Sequence, residues 1–342
     1  WCPWCLLDGN AGRSDNRRLQ AAMEPLARRM EREAEMKILI LGGTGMLGSM
    51  VAKVMPDEWE VLVTARTPAP YPYELVNIRW RRFDAYDLDQ LLELADGCNW
   101  IVNCIGATKP LLPDEGLAST KAAVDANVVL PVAVAAAARQ VGCRVLQVTT
   151  DCVYRGVRGN YSQYDEKDAT DLYGRTKALG EAQSPHVMWI RTSIVGPECR
   201  FPARHLLGRV IEGAVSVGYT DHYWNGVTTL ALAKVFIAAM DGRIPFQSGP
   251  AVHLVSDGKT DKCTLVRSIA LEFSLSVAIY SMPGPSIVDR TLACSSEKNE
   301  MMWLAAGYTK WPSATVLVNE LAEFCRQEQW PPSGAEGWRY WR

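Results

Sequence analysis

Tyr173 and Lys177 stand four positions apart in the segment Tyr173-Gly-Arg-Thr-Lys177. On a helix that spacing puts both side chains on one face, one turn from each other. An ammonium held beside a phenol favours the phenolate and draws the tyrosine pKa down toward neutrality. Such a phenol can donate a proton to a carbonyl undergoing reduction near pH 7. Thr149-Thr150-Asp151 closes an apolar run upstream, and Thr150 can offer a second hydrogen bond to the same oxygen. Ordinary solvated helices also contain Tyr-x-x-x-Lys pairs, so the surrounding elements decide between the two readings.

Those elements begin at Met36. Lys37 to Leu41 is a short apolar run of the kind a buried parallel strand shows. Gly42-Gly-Thr44-Gly45-Met46-Leu47-Gly48 follows at once and leads into a helical pattern. Strand, glycine turn and helix are the context of a dinucleotide fingerprint. The glycines at 42, 45 and 48 permit a tight turn, a close approach of backbone to pyrophosphate, and packing of helix on strand. The helix amino end then faces the phosphates. A second strand, Glu60 to Thr64, ends in Thr64-Ala65-Arg66 without the acid that holds ribose hydroxyls in NAD-selective folds. Arg66 there suits a 2′-phosphate, which favours NADP(H) over NAD(H); a surface arginine is the plain alternative. A third strand, Ile78 to Phe83, ends at Asp84. Asp84 either accepts from the adenine amino group or caps the helix that opens near Asp87.

The fourth strand, Trp100 to Ile105, brings Cys104, Ile105, Gly106 and Thr108 to its carboxyl end, the ligand edge of a doubly wound sheet. An alanine-rich helix follows from about Leu117 to Gln140, and Asn127 interrupts its apolar face as a satisfied core amide or as part of the site. Cys143 to Val148 delivers Thr150 to the same edge, and Val187 to Arg191 is a sixth strand. Alternating strands and helices predict an α/β fold, a Rossmann-type doubly wound parallel sheet with right-handed crossovers. Past Thr192 the elements shorten into a smaller C-terminal substrate lobe. The expected division is residues 1–35 as a helical or mobile extension, 36–192 as the dinucleotide-binding domain, and 193–342 mainly as the lobe, with 249–256 returning to the main sheet.

The 342 residues carry a net charge of −2, which gives no nucleic-acid footprint. No run of eighteen apolar residues is apparent, so no membrane span is expected. The ten cysteines are scattered, several within apolar runs, which points to free thiols in a reducing cytoplasm. Cys2 and Cys5 have the spacing of half a zinc site, but no second pair follows, and no metal is expected.

Four motifs together resemble the extended short-chain dehydrogenase/reductase superfamily, and within it dTDP-4-dehydrorhamnose reductase and its relatives. They are Gly42 to Gly48, Thr149-Thr-Asp-Cys-Val-Tyr154, Tyr173 to Glu181, and Trp224-Asn225-Gly-Val-Thr-Thr229. The resemblance spans residues 36 to about 330. It implies Tyr173 as general acid, Lys177 as the residue that binds the nicotinamide ribose and tunes that tyrosine, and Thr150 as the carbonyl-orienting hydroxyl. It makes Asn127 the support of a proton relay through water to Lys177. Thr108, Asp151, Cys152, Trp224 and Asn225 would then line the substrate cleft, and the substrate would be a 4-keto sugar on a nucleotide diphosphate. Arg191, Arg204 and Arg209 are candidates for that diphosphate. Dehydratases of the superfamily carry Thr-Asp-Glu where this chain has Thr150-Asp151-Cys152, and a thiol cannot replace that carboxylate at neutral pH. An epimerase or a non-catalytic, cofactor-holding regulatory subunit of the same fold remain the competing readings. The partners expected are a small nucleotide-sugar and, as an open alternative, a second copy of the chain.

Overall fold

The computed structural model describes residues 36–67, 77–85, 87–113, 116–199 and 202–330. The expectations for residues 1–35, including the Cys2/Cys5 pair, lie outside the described residues. In chain order the first half comprises β1 (Lys37–Leu41), α1 (Met46–Lys53), β2 (Glu60–Ala65), β3 (Ile78–Arg82), α2 (Leu88–Ala95), β4 (Trp100–Asn103), α3 (Leu117–Val141), β5 (Arg144–Thr149), α4 (Leu172–Gly180) and β6 (Val187–Arg191). The second half comprises β7 (Ile194–Val195), α5 (Leu206–Ile211), β8 (Val217–Tyr219), β9 (His222–Trp224), β10 (Val227–Thr228), α6 (Thr229–Met240), β11 (Val252–His253), β12 (Thr260–Asp261), α7 (Lys262–Glu272), β13 (Tyr280–Met282), β14 (Val288–Asp289), α8 (Ser296–Ala305) and α9 (Ala314–Gln327).

Seven strands form one parallel sheet in the order β11-β6-β5-β4-β1-β2-β3. The order reverses between β1 and β4, and the carboxyl ends on either side of that switch leave a crevice for a ligand. Strand alternation builds the two faces. Ile38 and Ile40 pack with α1 and α6, whereas Leu39 and Leu41 pack with α2 and α3. Val252 joins the far edge beside Ile190 of β6.

α3 carries the crossover from β4 to β5, and its middle turn, Asp125–Val129, is a π-helix. Such single-turn bulges insert one residue and gather at functional sites. The turn is pressed on α4: a Cβ on Gly180 would lie 1.9 Å from the Asn127 carbonyl oxygen. Among the described residues α3 is long and apolar enough to cross a membrane by length and composition, with a mean hydropathy of 1.5. It does so on average composition: Lys121, Asp125, Asn127 and Arg139 interrupt it, and it contains no unbroken run of eighteen apolar residues. Its apolar residues Leu130, Val134, Ala137 and Ala138 are core residues packed on the sheet.

A second three-stranded sheet, β12-β9-β14, holds the lobe together, with β12 antiparallel and β14 parallel to β9. The eight described cysteines are free thiols.

Candidate active site

The glycine turn is set by backbone geometry that only glycine accommodates. Gly42 has φ of +81°, a region L side chains rarely adopt, and a Cβ on Gly48 would lie 2.3 Å from the Gly42 carbonyl oxygen. Thr64, at the end of β2, fixes the turn: its hydroxyl donates to the Ile40 carbonyl (3.2 Å) and accepts from the Gly42 amide (3.2 Å). The turn opens on a cavity of about 460 Å³ at the switch point. Gly42, Thr44, Gly45, Met46, Arg66, Asp84, Cys104, Ile105 and Gly106 all line it, as expected for the cofactor. Leu47 and Gly48 do not: Leu47 is turned into the core and Gly48 packs on Gly42. Asp84 stays on the cavity wall because Asp87 caps α2, accepting from the Gln90 amide at 3.0 Å.

The catalytic candidates sit beyond the inner end of this cavity. None of Thr150, Tyr173 and Lys177 lines it directly, but a Cβ on Gly106 would lie 3.4 Å from the Lys177 ammonium. Asp171 caps α4 through the Gly174 amide (2.9 Å) and pairs with Lys109 at 2.9 Å. Burial raises the Asp171 pKa, but the Gly174 amide and Lys109 outweigh it and hold the carboxyl below the usual range. The half-buried Tyr173 phenol lies beside the Thr150 hydroxyl, which favours its charged form. Thr150 also donates to Asp151 (3.0 Å) and accepts from the Cys152 amide (3.1 Å).

The electrostatics correct one expectation. Burial, together with the facing Cys152 and the negative Asp151 and Asp171, pushes the Tyr173 phenol above its ordinary value. Lys177 does not draw it down: its ammonium donates to the Val148 carbonyl at 3.3 Å, and burial lowers its own pKa to about 8. Tyr173 is therefore a protonated phenol at neutral pH, the form a proton donor must have. Burial likewise pushes the Cys152 thiol up to about 12, so position 152 carries no charge.

Asn127 supports this arrangement from behind. Its side-chain oxygen accepts from the Ala107 amide (3.0 Å), and its nitrogen donates to the Ala107 carbonyl (2.9 Å) and to Thr176 (3.1 Å). With both ends so used, the amide ties the β4 edge to α4, close to the Lys177 ammonium at Gly106. Asn225 is used in the same way, bonding the Leu292 carbonyl (2.9 Å) and amide (3.1 Å). Trp224 is buried. Arg191 is not available to a diphosphate. It lies in the core, paired with Glu181, and donates to the Tyr154 hydroxyl (2.8 Å). Burial and Arg191 lower the neighbouring His253 to about 4, so it stays neutral. Arg204 lines the cavity, and Arg209 is exposed on α5.

The structure adds residues that the motifs do not single out. Glu198, Cys199, Pro202 and His205 close the cavity from the lobe side. Glu198 accepts from the His205 ring (2.8 Å) and from the His205 amide (2.7 Å), and the other His205 nitrogen meets Thr108 at 3.3 Å. Thr108 thus joins the rim of β4 to α5. No spacing rule would have linked these three, which lie 97 positions apart at the extremes.

A parallel sheet, a glycine turn at its switch point and a Thr-Tyr-Lys set at its carboxyl rim define an NAD(P)-dependent oxidoreductase of the extended short-chain dehydrogenase/reductase type. The sequence model of the family described as RmlD substrate binding domain matches residues 36–283, and the chain belongs to that family. It is 25% identical over 301 residues to dTDP-4-dehydrorhamnose reductase of Mycobacterium tuberculosis (strain CDC 1551 / Oshkosh), covering 81% of this chain and 90% of the relative. Among solved structures it is similar to dTDP-4-dehydrorhamnose reductase from Bacillus anthracis in complex with NADP, at 17% identity and a TM-score of 0.64, covering 86% of this chain and 99% of that one. A dTDP-glucose 4,6-dehydratase double mutant from Streptomyces venezuelae with NAD bound is as similar in fold, with 17% identity, a TM-score of 0.66 and coverage of 87% and 99%.

Proposed function

We propose that this chain uses NADPH to reduce the 4-keto group of a sugar carried on a nucleotide diphosphate. The observation that carries the reading is the Tyr173 phenol set beside the Thr150 hydroxyl, with the Lys177 ammonium beside Gly106 of the cavity lining. A dinucleotide fits these residues. The glycine turn leaves the space that side chains would fill, the α1 amino end faces the cavity, and a buried ammonium waits at its far end. Gly42 to Met46 would hold the pyrophosphate, Asp84 the adenine, and Lys177 the nicotinamide ribose. When bound, the cofactor supplies the hydride. Arg66, exposed on the cavity wall after a strand whose end carries no acid, supports NADPH over NADH.

Thr150 orients the carbonyl by a hydrogen bond that strengthens as charge develops on oxygen. Tyr173 holds the proton that this oxygen takes up as the hydride arrives at carbon. The charge left on Tyr173 is then stabilised by Thr150, and Lys177 lies one helical turn away. Cys152, neutral in its buried position, supports reduction over dehydration. The free thiols fit a reducing compartment, and we place the enzyme in the cytoplasm.

The test is a coupled assay of purified protein with enzymatically made 4-keto-6-deoxy sugar nucleotides, following loss of nicotinamide absorbance with NADPH and with NADH. Stoichiometric consumption supports the reading. Cofactor binding without turnover across the panel refutes it, and isomerised product without net consumption identifies an epimerase.

A further inference from the structure

We infer that Lys262 and Arg290 form an anion-recognising pair on the substrate side of Tyr173, which takes an oxyanion of the nucleotide sugar: its diphosphate or a carboxylate on the sugar. The inference rests on the sugar-nucleotide reading above and assigns the residues that would select the substrate.

The topology of the lobe brings the two cations together. Asp261 of β12 and Asp289 of β14 both pair with Tyr223 of β9, and the chain continues from each directly into Lys262 and Arg290. The Lys262 ammonium lies 5.7 Å from the Trp224 ring centroid. Arg290 donates through Nε to the Tyr154 carbonyl at 2.9 Å, and a Cβ on Gly156 would lie 2.6 Å from its Cγ. It is thus laid along the segment that follows the Asp151–Val153 turn. That turn abuts the helix carrying Tyr173: a Cβ on Gly174 would lie 2.2 Å from the Cys152 carbonyl oxygen. Asp151 and Cys152 are felt electrostatically by Lys262 and by Tyr173 alike, which sets the pair and the phenol around one turn.

Neither cation has an ion-pair partner there, although Asp151 acts on Lys262 and Asp171 on Arg290 from further off. The carboxylates beside them are committed elsewhere: Asp261 to the amide (2.9 Å) and hydroxyl (2.8 Å) of Thr264, and Asp289 to Thr291 and to Lys259 at 3.2 Å. Among the described residues no carboxylate lies within ion-pair distance of Lys262 or Arg290. Burial lowers the Lys262 pKa; Asp151 and Cys152 act in the opposite direction, and the like charge of Arg290 adds to the lowering. A half-buried ammonium within electrostatic reach of a guanidinium is an arrangement that a bound oxyanion relieves, and Arg adds a planar donor fork for it.

The test measures Kd on the full chain for dTDP, dTDP-glucose, UDP-glucose and UDP-glucuronic acid, with NADPH Kd on the same samples. The proteins are wild type, Lys262→Gln, Arg290→Gln and Lys262→Arg. If the pair holds the diphosphate, each Gln variant weakens all four nucleotides by about tenfold, while Lys262→Arg retains affinity. If it holds a sugar carboxylate, wild type prefers UDP-glucuronic acid over UDP-glucose and the Gln variants lose only that preference. Gln variants that bind all four probes as wild type does overturn the inference and leave the reductase reading standing. A wild-type chain that binds NADPH but none of the four overturns both. Should a Gln variant also lose NADPH, the decision passes to Lys262→Arg and to the salt dependence of wild-type binding. Binding lost in Lys262→Arg, or unchanged by ionic strength, overturns the inference.

Discussion

Holding the Lys177 ammonium out of water costs the fold stability, and that can be measured. Burial lowers its pKa from 10.5 to about 8. At about 1.36 kcal/mol per pKa unit, the charged form costs the cofactor-free protein about 3 kcal/mol below pH 8. Between pH 8 and 10.5 the unfolded chain still holds the proton that the folded chain has released, so stability rises with pH across that window and the penalty fades. Replacing Lys177 by Met removes the penalty and also the bond to the Val148 carbonyl, worth about 1 kcal/mol. The variant should therefore be more stable than wild type by about 2 kcal/mol at pH 7. Near pH 11 it should have no advantage. Urea unfolding of both proteins without cofactor, at the two pH values, reads this directly. A variant less stable at pH 7, or a difference independent of pH, would refute the reasoning. Saturating NADPH should reverse the order, because only wild type gains the full binding energy.

Further expectations follow from other contacts. Gly180→Ala puts a Cβ 1.9 Å from the Asn127 carbonyl oxygen, so α4 must leave α3; thermal unfolding should show a loss of about 2–3 kcal/mol, and an unchanged midpoint would mean the contact is not made. Glu181→Gln leaves Arg191 charged in the core and should cost about 3–5 kcal/mol at pH 7 by urea unfolding. Although burial alone would raise it, Arg191 and Lys167 hold the Glu181 pKa below its usual value. The stability this carboxylate contributes is present above its unfolded pKa and is lost as pH falls through the folded value, so the mutational cost should shrink in acid. Arg66→Ala should raise KM for NADPH about tenfold relative to NADH in initial-rate assays; an unaltered ratio would remove Arg66 from cofactor choice.

Much of the sheet was legible because β1, β4 and β6 are almost wholly apolar runs, each followed by its own turn or helix. The turn at Gly42 was legible for a steric reason, since only glycine satisfies positions 42 and 48. What the sequence hid depends on contacts between distant segments. Arg191 follows an apolar strand and invites a ligand role, yet Glu181 on the neighbouring segment claims it in the core. Asn127 and Asn225 carry the right chemistry, but their partners, Ala107 and Leu292, are set by tertiary packing. The Tyr173–Lys177 spacing gave the shared face correctly and the electrostatics wrongly, because burial dominates at both groups and Lys177 exerts no resolved pull on the phenol. Lys262 and Arg290 belong to no motif, and only the pairing of β12 and β14 on β9 brings them together.

Tyr173→Phe tests the central claim most directly. It removes one oxygen from the site and leaves the cavity lining intact. Turnover of a 4-keto sugar nucleotide should fall by about 10²–10⁴-fold while NADPH Kd stays unchanged. A variant that reduces the substrate at the wild-type rate would contradict the account.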